Sequence, residues 1–127
     1  KCIMIGLDVT RKVLVEKQVV ESIKTYQNKA SKLFVDLMEV YNQNQQKVFG
    51  FSAGPLHDPM TIAYLIQPDL FKIAHVYANI DISHGPSYGR TNIDIFDYRH
   101  LEKNMYVAVD VDVEGFWTLF EDVINMY

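Results

Sequence analysis

The stretch AGPLHDPMTIAYLI, residues Ala53–Ile66, carries the sharpest change of pattern in the chain. Small, turn-prone residues end at His57-Asp58-Pro59, and an apolar run follows. Asp is favoured at helix N-caps because its side-chain oxygen accepts hydrogen bonds from first-turn amides, and Pro is favoured at the first helical position. The stretch therefore predicts a helix over about Pro59–Ile66. Asp58 is either the cap of this helix or a functional carboxylate held beside His57.

Upstream of this stretch the pattern predicts one strand and two helices. The apolar run CIMIGLDV (Cys2–Val9) is typical of a buried strand in a parallel sheet covered on both faces. Helices are expected over about residues 16–29 and from Ser31, a candidate cap, followed by the polar segment NQNQQK (42–47) and a glycine-bearing loop (48–55). No parallel partner for the first strand is evident in the sequence, so we expect its neighbours to lie outside the chain.

Downstream, the hydrophobic period changes from helical to two. Strands are predicted over Val76–Ile82, Thr91–Phe96 and Met105–Val111, and a last helix begins near Asp112. The predicted fold class is therefore α/β: an open, mostly parallel sheet flanked by helices, with a late antiparallel strand meander and a closing C-terminal helix.

Composition narrows the class of protein. A chain of 127 residues with 49% apolar and 22% charged residues is typical of one globular domain. The net charge of −4 argues against a nucleic-acid partner, and we expect no membrane partner because no apolar run approaches bilayer length. No signal peptide is visible, and Cys2 is the sole cysteine, which is compatible with a reducing, cytoplasmic compartment.

Two further carboxylates, in the segment DVDV (Asp110–Val113), leave an alternative open. Asp110 and Asp112 are explained either as a polar strand face plus a helix cap, or as metal ligands. In the second case they would converge with Asp58 to form a small metal-binding module, because paired carboxylates bind calcium.

The His-Asp stretch, extended to GPLHDPMTIAYLIQPDLF (Gly54–Phe71), is similar to the C-terminal signature of the inosine–uridine preferring nucleoside hydrolases. MIGLDVT (Met4–Thr10), GPSYGRT (Gly85–Thr91) and VDVDVEGFW (Val109–Trp117) resemble further landmarks of that family in the right order. The aspartate-rich motif that supplies the family's general base and most calcium ligands has no counterpart here. The resemblance thus implies that residues 1–127 are the C-terminal part of a single nucleoside hydrolase domain whose N-terminal half is absent.

The resemblance also implies a function: calcium-dependent hydrolysis of the N-glycosidic bond of ribonucleosides. Asp58 matches a calcium-ligating carboxylate, and His57 matches the active-site histidine near the leaving base. Gln45 and Phe49 match the base-contacting Gln and Tyr of the pyrimidine-preferring branch, although Phe49 lacks the hydroxyl. The expected substrate is uridine, cytidine or inosine, the expected assembly is a homo-oligomer (tetramer or dimer), and the chain alone is expected to be inactive. The alternative is a non-catalytic interaction or regulatory protein of the same fold, which keeps His57-Asp58 for capping alone.

Overall fold

The computed structural model describes residues 2–127, which adopt the expected α/β class. Its elements in chain order are β1 (Ile3–Met4), α1 (Leu7–Thr10), α2 (Lys17–Lys24), α3 (Lys29–Phe49), α4 (Pro59–Ile66), a 3-10 turn (Pro68–Leu70), β2 (Phe71–Ile80), β3 (Thr91–Asp94), β4 (Met105–Val111) and α5 (Val113–Asn125). The helix predicted over Pro59–Ile66 and the strand predicted over Met105–Val111 are confirmed at both ends.

The four strands form one sheet in the order β1-β4-β2-β3. The late strands are antiparallel as expected, with β2 between β4 and β3. The expectation that the first strand lacks a parallel partner within the chain is wrong, because β1 pairs in parallel with β4, Ile3 opposite Tyr106. Among the described residues this is the sole parallel pair, so the sheet here is mixed rather than mostly parallel.

The opening strand is much shorter than the predicted Cys2–Val9. The carbonyl of Gly6 accepts hydrogen bonds from the amides of Val9 and Thr10, at 3.1 and 3.0 Å, and these bonds turn the chain into the single-turn helix α1. Apolar periodicity alone does not separate a short buried helix from a strand. Thr10 consequently leaves the sheet and reaches the end of the molecule that carries His57.

Helix α3 is longer than predicted at its C-terminal end. Its cap is Asn28 rather than Ser31: the Asn28 side chain accepts from the Ser31 amide at 2.8 Å, and the Ser31 hydroxyl accepts from the Asn28 amide at 3.1 Å. The polar segment 42–47 stays helical, and the helix ends at Phe49, where its C-cap Gly50 has a φ of 73° that few other residues tolerate. No helix among residues 2–127, α3 included, is long and apolar enough to cross a membrane.

The core lies between the sheet and the helices and holds the site end of α4 in place. Met60, in the first turn of α4, is fully buried, and Phe116 of α5 is 1% exposed. The closing helix begins as predicted at Asp112, whose carboxylate accepts from the Gly115 amide at 3.0 Å. The N-terminus of α4, with His57 and Asp58 just before it, is therefore packed against the hydrophobic core.

Candidate functional site

The loop that presents His57 is joined by backbone hydrogen bonds to the segment after α1. The Leu56 amide donates to the Val13 carbonyl, and the Val15 amide donates to the Gly54 carbonyl, both at 2.9 Å. These bonds flank an antiparallel bridge between Leu14 and Pro55. The residues immediately before His57 are thus held as a short two-stranded ribbon, although they lie in a loop.

Helix α3 holds the other side of this loop. The Tyr41 hydroxyl donates to the Pro55 carbonyl at 2.9 Å, and the Asn42 side chain accepts from the Gly54 amide at 2.8 Å. A Cβ at Gly54 would collide with the Tyr41 ring and lie 2.9 Å from Cγ of Gln45. The close approach of loop and helix therefore requires glycine at this position and places Gln45 against the loop that leads to His57.

The His57 ring is half-buried and has one hydrogen-bond partner among the described residues. Its Nδ1 lies 2.7 Å from Oγ1 of Thr10, the last residue of α1, which is 3% exposed. Sequence reasoning did not single out Thr10. The only local signal was a hydroxyl at the end of an apolar run, and that pattern is common. The contact orients the Nδ1 edge towards buried Thr10, and no described residue hydrogen-bonds to the Nε2 edge of the ring.

Asp58 is exposed and does not cap α4 through its side chain. Its backbone is helical, with φ −61° and ψ −40°, and its carboxylate makes no capping hydrogen bond. No hydrogen bond or ion pair joins this carboxylate to any residue from 2 to 127. Of the two interpretations of Asp58, the structure does not support the side-chain cap, and Pro59 occupies the first turn as predicted.

Gln45 and Phe49 lie one turn apart on α3, so they share a face of that helix near its C-terminal end. Gln45 is half-buried, whereas Phe49 is 61% exposed and stacks on Phe51 with ring centroids 5.9 Å apart. Phe51 in turn lines a cleft of about 400 Å³ together with Arg11. The structure therefore brings Gln45 to the His57 loop and gives Phe49 an aromatic partner that sequence reasoning missed.

The two further candidate carboxylates, Asp110 and Asp112, have structural partners. Lys12 Nζ lies 2.7 Å from Asp110, and this hydrogen bond, with a second from the Val111 amide, lowers the pKa of the Asp110 carboxyl. Asp112 caps α5. Within residues 2–127 no group of three His, Cys, Asp or Glu side chains could hold a metal ion. The hypothesis of a metal-binding module built on Asp58, Asp110 and Asp112 is therefore wrong.

The fold is α/β, and His57 and Asp58 lie at the start of α4. Comparison with known proteins identifies the family to which this chain belongs. Residues 1–118 match the model of the inosine-uridine preferring nucleoside hydrolases, and the chain belongs to that family. It is 34% identical over 125 residues to the putative pyrimidine-specific ribonucleoside hydrolase RihB of Shigella boydii. The alignment covers 98% of this chain and 52% of that protein. The pyrimidine-specific ribonucleoside hydrolase RihB of Shigella flexneri is 33% identical, with 98% and 40% covered.

A solved structure agrees with these sequence relatives. The purine-preferring ribonucleoside hydrolase from Gardnerella vaginalis superposes with a TM-score of 0.81 at 31% identity, over 97% of this chain and 39% of that one. The chain thus spans about half the length, or less, of these relatives. The family and the fold class expected from the resemblance are both confirmed.

Proposed function

We propose that residues 1–127 are the C-terminal part of a ribonucleoside hydrolase and supply one wall of its active site. The observation that carries the proposal is the half-buried His57, fixed by Thr10 and followed in sequence by Asp58, whose carboxylate has no partner among the described residues. Below, the complete enzyme means these residues together with the remainder of the hydrolase domain, which this chain does not span.

The proposed reaction releases a free base and ribose. The oxygen of a water molecule bonds to C1′ of the ribose while the C1′–N bond breaks, so positive charge develops on the sugar and negative charge on the departing base. His57 donates a proton from Nε2 to the leaving base, which is the role of a general acid. The proton released by the attacking water passes to a general base in the part of the domain outside this chain.

Calcium is the metal we propose for the complete enzyme. The Asp58 carboxylate is a hard oxygen donor with no competing partner among the described residues, and it stands at the positive end of α4. One carboxylate cannot supply the roughly six to eight oxygens that calcium takes, so Asp58 would hold one position and the other ligands would come from outside residues 2–127. When bound, calcium lowers the pKa of a coordinated water.

We further propose that the base lies against the α3 face that carries Gln45 and Phe49. The Gln45 amide can both donate and accept hydrogen bonds, and the exposed Phe49 ring offers a stacking surface. The names of the two Shigella relatives, both pyrimidine-specific, support uridine or cytidine as substrate, whereas the purine-preferring Gardnerella relative supports a purine nucleoside such as inosine. Local residues rather than the shared fold must therefore decide the preference.

The proposed setting is the cytoplasm, and the proposed assembly is a homo-oligomer, a dimer or tetramer. Cys2 is free and is the sole cysteine, which suits a reducing compartment. Ile82, Phe96 and Tyr98 are between 73% and 80% exposed near the β2–β3 hairpin, and such exposed apolar side chains favour self-association.

The test is His57→Ala in the complete enzyme, assayed on two substrates. We expect kcat on uridine to fall by about 10²–10⁴, the usual contribution of general acid–base catalysis. The loss on p-nitrophenyl riboside should be far smaller, because nitrophenolate leaves without being protonated. The control is His75→Ala, since His75 is exposed on β2. Equal losses on both substrates would rule out the leaving-group role, and absence of turnover in the unmutated complete enzyme would favour the non-catalytic alternative.

A further inference from the structure

The geometry points to Thr10 as the positioning residue that keeps the Nδ1 edge of His57 occupied, so that Nε2 is the nitrogen presented to the leaving base. This inference rests on the proposed role of His57 as the general acid. Thr10 does not touch the substrate in this scheme, and it acts only through the imidazole ring.

The Thr10 hydroxyl is dedicated to this one contact. It is 3% exposed, and its Oγ1 lies 2.7 Å from His57 Nδ1, the sole side-chain hydrogen bond of Thr10 among the described residues. A buried hydroxyl requires a partner. In the resting neutral ring the hydroxyl donates to Nδ1, because this arrangement gives the hydroxyl hydrogen an acceptor among the described residues. The ring hydrogen of neutral His57 is thereby assigned to Nε2.

The same hydroxyl also suits the charged ring. In imidazolium both ring nitrogens are donors, and Oγ1 then accepts from Nδ1 while the Nε2 hydrogen remains available for the base. A hydroxyl can reverse its role in this way, whereas a carboxylate or an amide N–H at this position would be restricted to accepting or donating. Transfer of the Nε2 proton to the base leaves a neutral ring whose hydrogen is on Nδ1 and still donates to Oγ1, so Thr10 keeps the ring in one orientation before and after proton transfer.

Both partners stand on rigid supports. The Thr10 amide donates to the Gly6 carbonyl at 3.0 Å, and β-branching restricts χ1 of the Thr10 side chain. Three residues further on, the Val13 carbonyl accepts from the amide of Leu56, the residue before His57, at 2.9 Å. The two chain segments are thus joined by backbone hydrogen bonds beside the side-chain contact, so the ring cannot turn without losing its partner.

The kinetic test compares Thr10→Val, which removes the hydroxyl at nearly constant shape, with Thr10→Ser, which keeps it. In the complete enzyme we expect Thr10→Val to lower kcat on uridine by about tenfold or more, the scale at which misorientation of a reacting group slows turnover. KM on uridine and kcat on p-nitrophenyl riboside should change little, and Thr10→Ser should restore most of the uridine rate. Thr118→Val, which removes a remote exposed hydroxyl on α5, is the control.

A spectroscopic test needs no activity. Long-range proton–nitrogen NMR spectra of the neutral His57 ring in the 127-residue chain should show the hydrogen on Nε2 and a hydrogen-bonded Nδ1. In Thr10→Val the Nδ1 resonance should move to that of an unbonded ring nitrogen, whereas in Thr10→Ser it should stay. An unchanged Nδ1 resonance in Thr10→Val, or equal kinetic losses on both substrates, would overturn the inference.

Failure of the proposed function can be distinguished from failure of the inference about Thr10. If His57→Ala leaves uridine turnover intact, the general-acid role of His57 is wrong whatever Thr10→Val does. If His57→Ala lowers uridine turnover selectively but Thr10→Val does not, only the role of Thr10 is wrong.

Discussion

Thr10, the hydrogen-bond partner of the His57 ring, and Asp58, the next residue after His57, differ in solvent exposure. Thr10 is buried and hydrogen-bonded, whereas Asp58 is exposed and its carboxylate has no partner within residues 2–127. A buried charge without a partner would be strongly destabilising, but an exposed carboxylate keeps its hydration. An uncommitted carboxylate beside a fixed imidazole therefore costs the fold little and leaves an oxygen ligand available.

The role of Asp58 can be tested by Asp58→Asn in the complete enzyme. We expect calcium affinity to fall by about tenfold or more, because ligand charge strongly tunes calcium binding, and activity to fall with it. The free energy of unfolding measured without calcium should stay unchanged, because no side-chain cap is lost, whereas loss of a true cap would cost about 1 kcal/mol. Calorimetric calcium titration and urea denaturation measure the two quantities.

The matched control is Asp69→Asn, which changes an exposed carboxylate in the 3-10 turn after α4. Wild-type calcium affinity in Asp58→Asn, combined with lower stability, would reduce Asp58 to a structural residue.

The base preference can be tested at Phe49, which lacks the hydroxyl expected of the pyrimidine-preferring branch. In Phe49→Tyr we expect kcat/KM on uridine and cytidine to rise relative to inosine, because the added hydroxyl can bond to a pyrimidine. The effect should be about 1 kcal/mol, or roughly fivefold, typical of one hydrogen bond. Phe51→Tyr places a hydroxyl on the neighbouring ring and serves as the control. An unchanged ratio in Phe49→Tyr would show that this face of α3 does not contact the base.

At the scale of the elements, local sequence patterns correctly predicted those helices and strands whose ends depend on neighbouring residues. Helix α4 has a proline in its first turn and ends before another, and β4 shows a clear alternation, so both were located correctly. The end of α3 was missed because its polar residues read as a loop. The partner of β1 was missed because Ile3 pairs with Tyr106, a contact that no sequence window spans.

The candidate site also has parts that the sequence could suggest and a part that it could not. The roles of His57, Asp58, Gln45 and Phe49 came from family resemblance and stay predictions. The bond between Thr10 and His57 joins residues 47 positions apart, so only the folded chain reveals it.

The contact between α3 and the His57 loop can be tested by Gly54→Ala. The new Cβ would meet the Tyr41 ring and Gln45, so the loop or the helix must move. We expect the free energy of unfolding to fall by about 1–3 kcal/mol, as in other overpacked sites, and activity to fall with it. Gly85→Ala is the control, because its Cβ would meet only the Ser83 hydroxyl at an ordinary 3.6 Å. Equal stability of the two variants in urea denaturation would contradict the close approach.

The β2–β3 hairpin has its own pH signature at Asp81. Hydrogen bonds from the Ser83 and Ser87 hydroxyls, and then from the Ser83 amide, lower the pKa of Asp81 from 3.8 to about 2. A depressed folded-state pKa stabilises the hairpin above about pH 4, and this contribution is lost as pH falls to about 2. The stability difference between wild type and Asp81→Asn should therefore vanish across that window. A difference that persists below pH 2 would contradict this assignment.

On the scale of the whole molecule, an open apolar groove of about 530 Å³ runs between α4 and α5. It begins at Asp58, and Ile62 and Ile66, which line it, are 57% and 58% exposed. Apolar surface of this kind costs free energy in water and promotes association. The groove that includes Asp58 is therefore not covered by other apolar residues of the described part of the chain. In addition, residues 2–127 provide no group of metal ligands that could act with Asp58.

These two deficits predict the behaviour of the chain Lys1–Tyr127 purified alone. It should release no ribose from uridine or inosine above background, with or without calcium, because one carboxylate leaves most of a calcium coordination sphere unfilled and residues 2–127 hold no group of metal ligands to complete it. Calcium should likewise leave its thermal unfolding midpoint unchanged, since a ligand stabilises only a fold that binds it. Ribose release that disappears on chelation would show instead that these residues hold a complete metal site and more of the active site than one wall.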